Sequence, residues 1–261
     1  MNILDQILAT KREEVALARS FLSFEEIHAE AQAVTRPVLS FSDSLRNSDT
    51  GIIAEFKRRS PSKGFIKEKA DVVSIVGGYS ENGAAAVSVL TDRDYFGGSL
   101  DDLVQARKVS GVPLLRKDFI VDPYQLCQAR IAGADVVLLI AAALSPETTQ
   151  KLARFARSLK LEVLLEIHNE QELECINEYV NVVGVNNRDL STFTTSVIVS
   201  EDLSAVIPED YLKISESGLS SPETVRKLQD KGFQGFLMGE NFMKTPNPAS
   251  ALGDFIKKLS R

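Results

Sequence analysis

An acid and an amine stand two residues apart at the end of an apolar run near the start of the chain. The run covers residues 52–54 and continues through Glu55 and Lys57 to Ser60. Alternate residues of an extended strand point to the same side, so Glu55 and Lys57 share one face. Such a pair can act as an acid and a base, or it can be a salt bridge at a frayed strand end. The stretch alone does not distinguish these interpretations.

Polar residues also end six other apolar runs. In chain order they are Thr91 and Asp92, Lys117 and Asp118, Glu166 and His168, Asn186 and Arg188, Glu216 and Ser217, and Gly239 and Glu240. If the runs are parallel strands, these ends meet at one mouth, where isolated buried charges would be costly. The acids and amines must therefore pair or face a polar ligand. The alternative is a charged plug that only stabilises the fold, which is a costly way to close a barrel.

The apolar runs alternate with stretches of helical spacing from residue 51 onward. The predicted strands are residues 52–57, 85–90, 113–117, 136–140, 162–167, 182–186, 212–216 and 235–239. The predicted helices are residues 71–82, 99–110, 123–132, 146–160, 169–178, 199–206, 222–231 and 249–260. This alternation predicts the α/β class, as a single closed (β/α)8 TIM barrel. An open doubly wound sheet is disfavoured, because no glycine-rich dinucleotide turn follows the first strand.

The first 48 residues lack a strand pattern and precede the barrel, which we place at residues 49–261. Apolar residues recur at helical spacing over 3–19, and a second helix is predicted at 24–33. We expect residues 1–48 to form an N-terminal helical extension that packs on the barrel. The length of 261 residues is close to the ~250 residues typical of one such barrel.

Composition narrows the classes of partner. The net charge of −6 argues against nucleic acid as the main partner, which would need a basic face. No apolar run approaches the length of a membrane span, and the N-terminus lacks a signal-peptide core. The two cysteines, Cys127 and Cys175, lack the spacing of a metal or redox site. We therefore expect a cytoplasmic monomer that binds a small molecule without a metal.

Glycine-containing turns follow the last two predicted strands and could bind phosphate. They contain Ser217 with Gly218, and Gly239 with Glu240. Loops after strands seven and eight form the usual phosphate site of these barrels, and Ser60 of the first loop could complete it. Two ordinary turns are the alternative. Glu240 is unexpected there because its carboxylate would repel phosphate, although its backbone N–H could still contribute.

Aromatic and basic residues lie in the loops around the predicted mouth. Phe96 and Phe119 offer apolar surface suited to an aromatic ring of a substrate. Arg188 either fixes its own loop through Asp189 or binds a substrate anion directly, since arginine suits bidentate anion binding.

The motifs in which these residues stand resemble those of the indole-3-glycerol-phosphate synthase family. Seven of them occur in the same order, namely IAEFKRRSPS at 53–62, SVLTDRDYFGGS at 88–99, LRKDFIVD at 115–122, LEIH at 165–168, GVNNRDL at 184–190, SESG at 215–218 and LMGE at 237–240. They span the barrel from its first strand to its last. The resemblance implies conversion of 1-(2-carboxyphenylamino)-1-deoxyribulose 5-phosphate to indole-3-glycerol phosphate, with loss of carbon dioxide and water and without a cofactor.

The resemblance also implies roles for the catalytic residues. Lys117 would be the acid that protonates the ketone during ring closure, which requires burial or a neighbouring ammonium to lower its pKa. Lys57 would hold the anthranilate carboxylate and assist as a proton donor. Glu166 would be the base for dehydration, and Glu55 would orient and tune the lysines. The division of the acid role between the two lysines stays open.

The remaining implied roles concern substrate binding. Asn186 and Glu216 would bind substrate hydroxyls or the anilino nitrogen. The phosphate would be held by Ser60, Ser217, Gly218 and Gly239, together with Glu240, which departs from the small polar residue of some relatives.

Two other functions compete with this one. Phosphoribosylanthranilate isomerase shares the phosphate site, but it typically needs a cysteine and aspartate pair where this chain has Glu55 and Lys57. A barrel that binds a phosphorylated ligand or scaffolds a partner enzyme would bind without turnover.

Overall fold

A closed barrel of eight parallel strands forms the centre of the computed structural model, which describes residues 3–189 and 192–260. The strands are β1 (Ile52–Phe56), β2 (Ala86–Leu90), β3 (Leu114–Lys117), β4 (Val136–Ile140), β5 (Glu162–Ile167), β6 (Val182–Asn186), β7 (Leu212–Glu216) and β8 (Gly235–Met238). Each strand pairs with the next, and β1 closes the ring by placing Ile53 beside Leu237 of β8 and Ala86 of β2. The predicted barrel is confirmed.

Eleven α-helices surround the barrel or precede it in the described residues. They are α1 (Ile3–Phe21), α2 (Phe24–Ala33), α3 (Phe41–Arg46), α4 (Val72–Glu81), α5 (Leu100–Val109), α6 (Pro123–Ala132), α7 (Pro146–Ser158), α8 (Ile198–Leu203), α9 (Pro222–Gln229), α10 (Glu240–Met243) and α11 (Pro248–Leu259). Helix α7 begins as its sequence indicates, with Pro146 in its first turn and the Ser145 side chain accepting from the Thr148 N–H. Across the ranges that the structure describes, none of the helices is long and apolar enough to cross a bilayer.

Two predicted helices differ from the observed structure. The segment 169–178 forms only a 3-10 turn, Glu170–Cys175, and the helix expected at 199–206 is the shorter α8. After the turn, the Asn177 side chain donates to the Cys175 carbonyl and accepts from the Tyr179 N–H. These local bonds compete with continued helical bonding, so the helix does not extend.

The strand residues divide the core into an inner and an outer cluster. The inner cluster lies inside the barrel and includes Ile53, Leu115, Leu164 and Ile214. Helix α3 closes its lower end, and the outer cluster lies between the strands and the helices. Because alternate residues of a strand share a side, the residue two places after each of these four also points inward. Those four positions are occupied by Glu55, Lys117, Glu166 and Glu216.

A buried lysine attaches the N-terminal extension to the barrel. Lys11 of α1 is 1% exposed, and its Nζ lies 2.8 Å from Asp92 Oδ2 and 3.3 Å from Asp118 Oδ1. Asp92 lies two residues after the end of β2, and Asp118 directly follows Lys117 at the end of β3. Glu14 of the same helix contacts Lys11 Nζ at 2.8 Å. Helix α1 is therefore held at the mouth of the barrel by an ionic cluster in which Lys11, Asp92 and Asp118 are buried and Glu14 is 43% exposed.

Replacing Lys11 by alanine should destabilise the protein strongly. The change leaves Asp92 buried without its cation and leaves Asp118 with Arg116 as its remaining cation. Breaking a buried pair from one side costs about 3–5 kcal/mol. Urea unfolding of Lys11→Ala and of the wild type measures the difference. Lys151→Ala is the matched control, because that lysine is 74% exposed and pairs with an equally exposed Glu147. Equal stability of Lys11→Ala and Lys151→Ala would contradict the role of the cluster.

Candidate active site

Lys117 lies at the centre of the charged mouth of the barrel. Its Nζ is 2.8 Å from Glu216 Oε2 and 3.3 Å from Glu166 Oε2. The three residues come from β3, β7 and β5, so strands far apart in the chain deliver them to one level. Both carboxylates are buried, and the Lys117 side chain is 14% exposed. The structure therefore brings the ends of β3, β5 and β7 together, as predicted.

A second pair lies beside the first in the same cavity. Lys57 Nζ contacts Glu55 Oε1 at 2.6 Å. Burial raises the pKa of Glu55, but the nearby Lys57 and Lys117 outweigh it and lower that pKa below its usual range. Glu55 therefore stays ionised and contributes negative charge to both lysines. Asn186, at the end of β6, lines the cavity with these two lysines and three glutamates.

The expectation that the pKa of Lys117 is lowered is wrong. Burial does lower it, but the carboxylates of Glu216, Glu166 and Glu55 together raise the pKa above its ordinary value. A single ammonium faces three acids here, and Coulomb attraction in a buried site is only weakly screened. Lys117 is therefore a firmly held ammonium at neutral pH.

The two acids that share Lys117 have opposite pKa shifts. Burial raises the pKa of Glu216 to about 7, because the repulsion from Glu166 and Glu55 adds to it while Lys117 opposes it only in part. Its Oε1 is buried without a hydrogen-bond partner among the described residues. For Glu166, burial is outweighed by Lys117, His168 and Asn186, so its pKa is lowered. One acid is thus close to neutralisation while its neighbour stays ionised.

Apolar side chains form another part of the cavity wall. Phe96 and Phe119 lie with ring centroids 6.1 Å apart and tilted by 37°. Both line the cavity with Lys117, and Leu138 and Ile140 of β4 contribute further apolar surface. This explains why β4 carries no charge at its end, since it supplies part of the wall.

Several lining residues were not among the predicted site residues. Ile3, Leu4 and Ile7 of α1 line the cavity, and Phe193 reaches it from the loop after β6. The helical spacing of the first three had indicated only packing, because an apolar stripe does not show which surface it covers. Phe193 has a left-handed backbone, with φ of 57°, which is unusual for an aromatic residue.

The glycine turns after β7 and β8 line a second, adjoining cavity. Gly218 and Gly239 face it, and Ser217 and Glu240 lie on both cavities. Ser217 and Gly218 have left-handed backbones, with φ of 67° and 74°. Ser60 lies on the wall of the first cavity.

Basic side chains reach across this second cavity. Lys63 Nζ contacts Glu240 Oε1 at 2.5 Å, which explains how an acid is accommodated there. Arg188 Nη1 donates to Ser62 Oγ at 2.9 Å, and its backbone N–H donates to Asn186 Oδ1 at 3.1 Å. The loop after β1 is thereby tied to the loops after β6 and β8.

Within residues 3–189 and 192–260, no group of three or more histidine, cysteine, aspartate or glutamate side chains is arranged to hold a metal ion. The site contains instead two ammonium groups, ionised and near-neutral carboxyl groups, an aromatic wall and a basic, glycine-lined end. Such a cavity can donate and accept protons on an aromatic substrate that carries a phosphate.

Comparison with known proteins agrees with this chemistry. A family model described as indole-3-glycerol phosphate synthase matches residues 4–255. An indole-3-glycerol phosphate synthase of Bacteroides thetaiotaomicron is 51% identical over 258 residues, which cover 99% of this chain and 99% of that protein. Proteins of the same name from Aliarcobacter butzleri and Bordetella pertussis are 40% and 42% identical. The matches cover 99% and 98% of this chain, and 100% and 99% of those proteins.

Solved structures show a more distant likeness. A chain of the tryptophan synthase complex of Pyrococcus furiosus superposes with a TM-score of 0.60 at 15% identity, covering 82% of this chain and 98% of that one. At this identity the likeness shows the barrel fold alone.

Replacing Gly239 by alanine should disturb the Glu55–Lys57 pair. A Cβ at Gly239 would lie 2.6 Å from Glu55 Oε1 and 3.0 Å from Glu55 Cβ. Overpacking of this kind costs about 1–3 kcal/mol, which urea unfolding can measure. Gly77→Ala is the matched control, because the nearest atom to its Cβ would be at an ordinary 3.7 Å. A Gly239→Ala protein as stable as the Gly77→Ala protein would contradict the contact.

Proposed function

The chain belongs to the indole-3-glycerol phosphate synthase family, and on that premise we propose how its cavity carries out the reaction. The enzyme is a decarboxylating lyase of tryptophan biosynthesis. It closes the ring of 1-(2-carboxyphenylamino)-1-deoxyribulose 5-phosphate to give indole-3-glycerol phosphate, carbon dioxide and water. The observation that carries the assignment of roles is the meeting of Lys117, Lys57 and Glu166 in one cavity that also has an aromatic wall.

Ring closure is the first step. The ring carbon that bears the carboxylate attacks the ketone carbon of the sugar, and negative charge develops on the ketone oxygen. Lys117 donates a proton to that oxygen. Its raised pKa does not prevent this, because an alkoxide is a much stronger base than a ketone and the transfer becomes favourable as the carbon–carbon bond forms. Phe96 and Phe119 hold the ring against the attacked carbon.

Decarboxylation follows from the loss of aromaticity in that step. The attacking ring carbon is tetrahedral after closure, and departure of carbon dioxide leaves its electron pair to restore the aromatic ring. Lys57 binds the substrate carboxylate beforehand through its ammonium, and it contacts Glu55 in the free protein. Since the leaving group is neutral, the lysine must release it as the carboxylate charge disappears.

Dehydration completes the indole ring. A proton leaves the methylene carbon next to the nitrogen, and the hydroxyl made in ring closure leaves as water after protonation by a lysine. Glu166 takes the carbon-bound proton, which its lowered pKa and ionised state support. Asn186 and Glu216 bind the sugar hydroxyls or the anilino nitrogen. The near-neutral Glu216 can donate a hydrogen bond as well as accept one.

The phosphate occupies the glycine-lined end of the cavity. Backbone N–H groups of the turns at Gly218 and Gly239 approach it, with Ser217 and Ser60 beside them. Glu240 acts indirectly, because its carboxylate holds the Lys63 ammonium over this region. Arg188 supplies a second cation and must exchange its bond with Ser62 for one with the phosphate.

The wider organisation follows from the same site. We propose that residues 1–48 form an extension that serves the barrel of residues 49–261, since Ile3, Leu4 and Ile7 line the catalytic cavity. We propose a monomer, because one barrel already brings together the predicted acid, base and phosphate-binding residues. The net charge of −6 supports a partner other than nucleic acid. The biosynthetic relatives support a cytoplasmic enzyme. The proposed steps need no cofactor, because side chains supply each proton transfer.

The activity is tested by mixing the purified protein with the substrate in the presence of a chelator and following indole fluorescence. Turnover under these conditions is expected. Binding without turnover would favour a ligand-binding or scaffolding barrel, and a metal requirement would overturn the proposed mechanism.

Lys117→Arg separates the acid role of Lys117 from its ionic role. Arginine keeps a cation between Glu166 and Glu216, but it holds its proton too tightly to act as an acid. We expect turnover to fall by about 10²- to 10⁴-fold, the usual contribution of a general acid, with substrate affinity largely kept. Lys151→Arg on the surface controls for the substitution itself. Wild-type turnover in a folded Lys117→Arg protein would remove Lys117 from the acid role.

Arg188→Met tests the phosphate end. Hydrogen bonds to charged groups are worth about 1.5–3 kcal/mol, so KM for the substrate should rise by roughly 10- to 100-fold while kcat changes little. Arg46→Met is the control, because that arginine is 53% exposed and pairs with Asp43 on α3, at the opposite end of the barrel. An unchanged KM in Arg188→Met would exclude the contact with phosphate.

A further inference from the structure

His168 lies between two carboxylates, one of which belongs to the catalytic cavity. It follows β5 two residues after Glu166, and its Nε2 is 3.4 Å from Glu166 Oε1. Its Nδ1 is 3.2 Å from Glu172 Oε2. The side chain is 11% exposed. None of the steps above assigns this residue a part.

Glu172 is itself held firmly in the 3-10 turn after β5. Its Oε2 accepts from the His168 backbone N–H at 2.8 Å, and its Oε1 accepts from Asn169 Nδ2 at 2.9 Å. Its own N–H donates to Asn169 Oδ1 at 3.2 Å. Glu172 is therefore anchored by backbone and side-chain hydrogen bonds, and the His168 imidazole extends from it toward Glu166.

Each oxygen of the Glu166 carboxylate faces a different cation. Oε2 faces Lys117 at 3.3 Å, and Oε1 faces His168. The contact with His168 is ionic rather than a well-directed hydrogen bond, because Nε2 has no hydrogen-bond partner among the described residues. Such a contact depends on the positive charge of the ring.

We infer that His168 is a positioning residue, an imidazolium at neutral pH that fixes the Glu166 carboxylate and keeps it ionised when Lys117 gives up its proton. The inference rests on the proposed role of Glu166 as the base for dehydration. During ring closure Lys117 becomes a neutral amine, and Glu166 then loses one of its two cations. A buried carboxylate left without a cation would take up a proton and could no longer act as a base. The second cation prevents this.

The charge on His168 is stable at neutral pH. Burial lowers its pKa, but Glu166 and Glu172 outweigh burial and raise the pKa to about 10. With both ring nitrogens protonated, each carboxylate faces a donor.

The groups that face Glu166 come from five strands or strand ends. Lys117 of β3 and His168 after β5 favour its ionised form, and the Asn186 side chain of β6 donates to it. The carboxylates of Glu216 on β7 and Glu55 on β1 repel it. Loss of the His168 charge therefore raises the pKa of Glu166.

His168→Gln is the primary test, measured as single-turnover rate against pH so that product release does not conceal the chemistry. Activity that needs ionised Glu166 is lost as pH falls through its pKa, and loss of the cation raises that pKa. The acid limb of the profile should therefore move to higher pH. The rate at neutral pH should fall about ten-fold, as expected for a lost charge-assisted contact, with KM little changed.

Three other variants complete the experiment. His168→Lys restores a cation and should move the acid limb back toward the wild type. Glu172→Gln lies outside the cavity and should shift the limb in the same direction as His168→Gln but less, and it carries the test if His168→Gln does not fold. His28→Gln is the matched control, because this other histidine stacks on Phe24 of α2 at 5.6 Å and should leave the profile unchanged.

The outcomes separate this inference from the proposed function. An inactive Glu166→Gln protein together with an unshifted profile in folded His168→Gln would overturn the role of His168 and leave that of Glu166 intact. An active Glu166→Gln protein would overturn both. A shift in His168→Gln that His168→Lys reverses supports the inference.

Discussion

The ionic contact of Lys117 with two buried carboxylates is the interaction on which the rest of the site depends. Without that ammonium, Glu166 and Glu216 would be two acids buried near each other with too little positive charge to keep both ionised. With it, and with His168 and Asn186 beside it, Glu166 stays ionised, while burial and the repulsion from Glu166 and Glu55 still raise the pKa of Glu216 to about 7. The two acids thus differ in protonation state, which is what separate acid and base roles require.

The pleat of the barrel strands explains how so many charges reach one level. The inward positions in the lower half of the barrel are apolar, and those two residues further along the strands are charged. The pairs are Ile53 with Glu55, Leu115 with Lys117, Leu164 with Glu166, and Ile214 with Glu216. The packed lower layer excludes water from beneath the charges, so their interactions are stronger than they would be at a surface. The same packing makes any unpaired charge there expensive.

Helix α1 forms part of the wall of the cavity that contains Lys117. One face supplies Ile3, Leu4 and Ile7 to the cavity wall, while Lys11 binds Asp92 and Asp118 at the barrel rim. Asp118 directly follows Lys117, so the attachment of the helix and the position of the central lysine share one short segment. Stability of the extension and geometry of the site are therefore coupled through the end of β3.

The sequence by itself determined the barrel and which strand ends carry charge, because the two-residue and helical periodicities are local properties of the chain. It also placed Glu55, Lys57, Lys117, Glu166 and Glu216 at one mouth of the barrel, because parallel strands end on the same side. Only the tertiary structure decided the sign of the pKa shift of Lys117, the wall formed by α1, the shortened segment at 169–178 and the bridge through His168. A pKa depends on the sum of all nearby charges, and Lys117 and Glu216 are 99 residues apart in the chain. Such a sum exists only once the strands are closed into a ring.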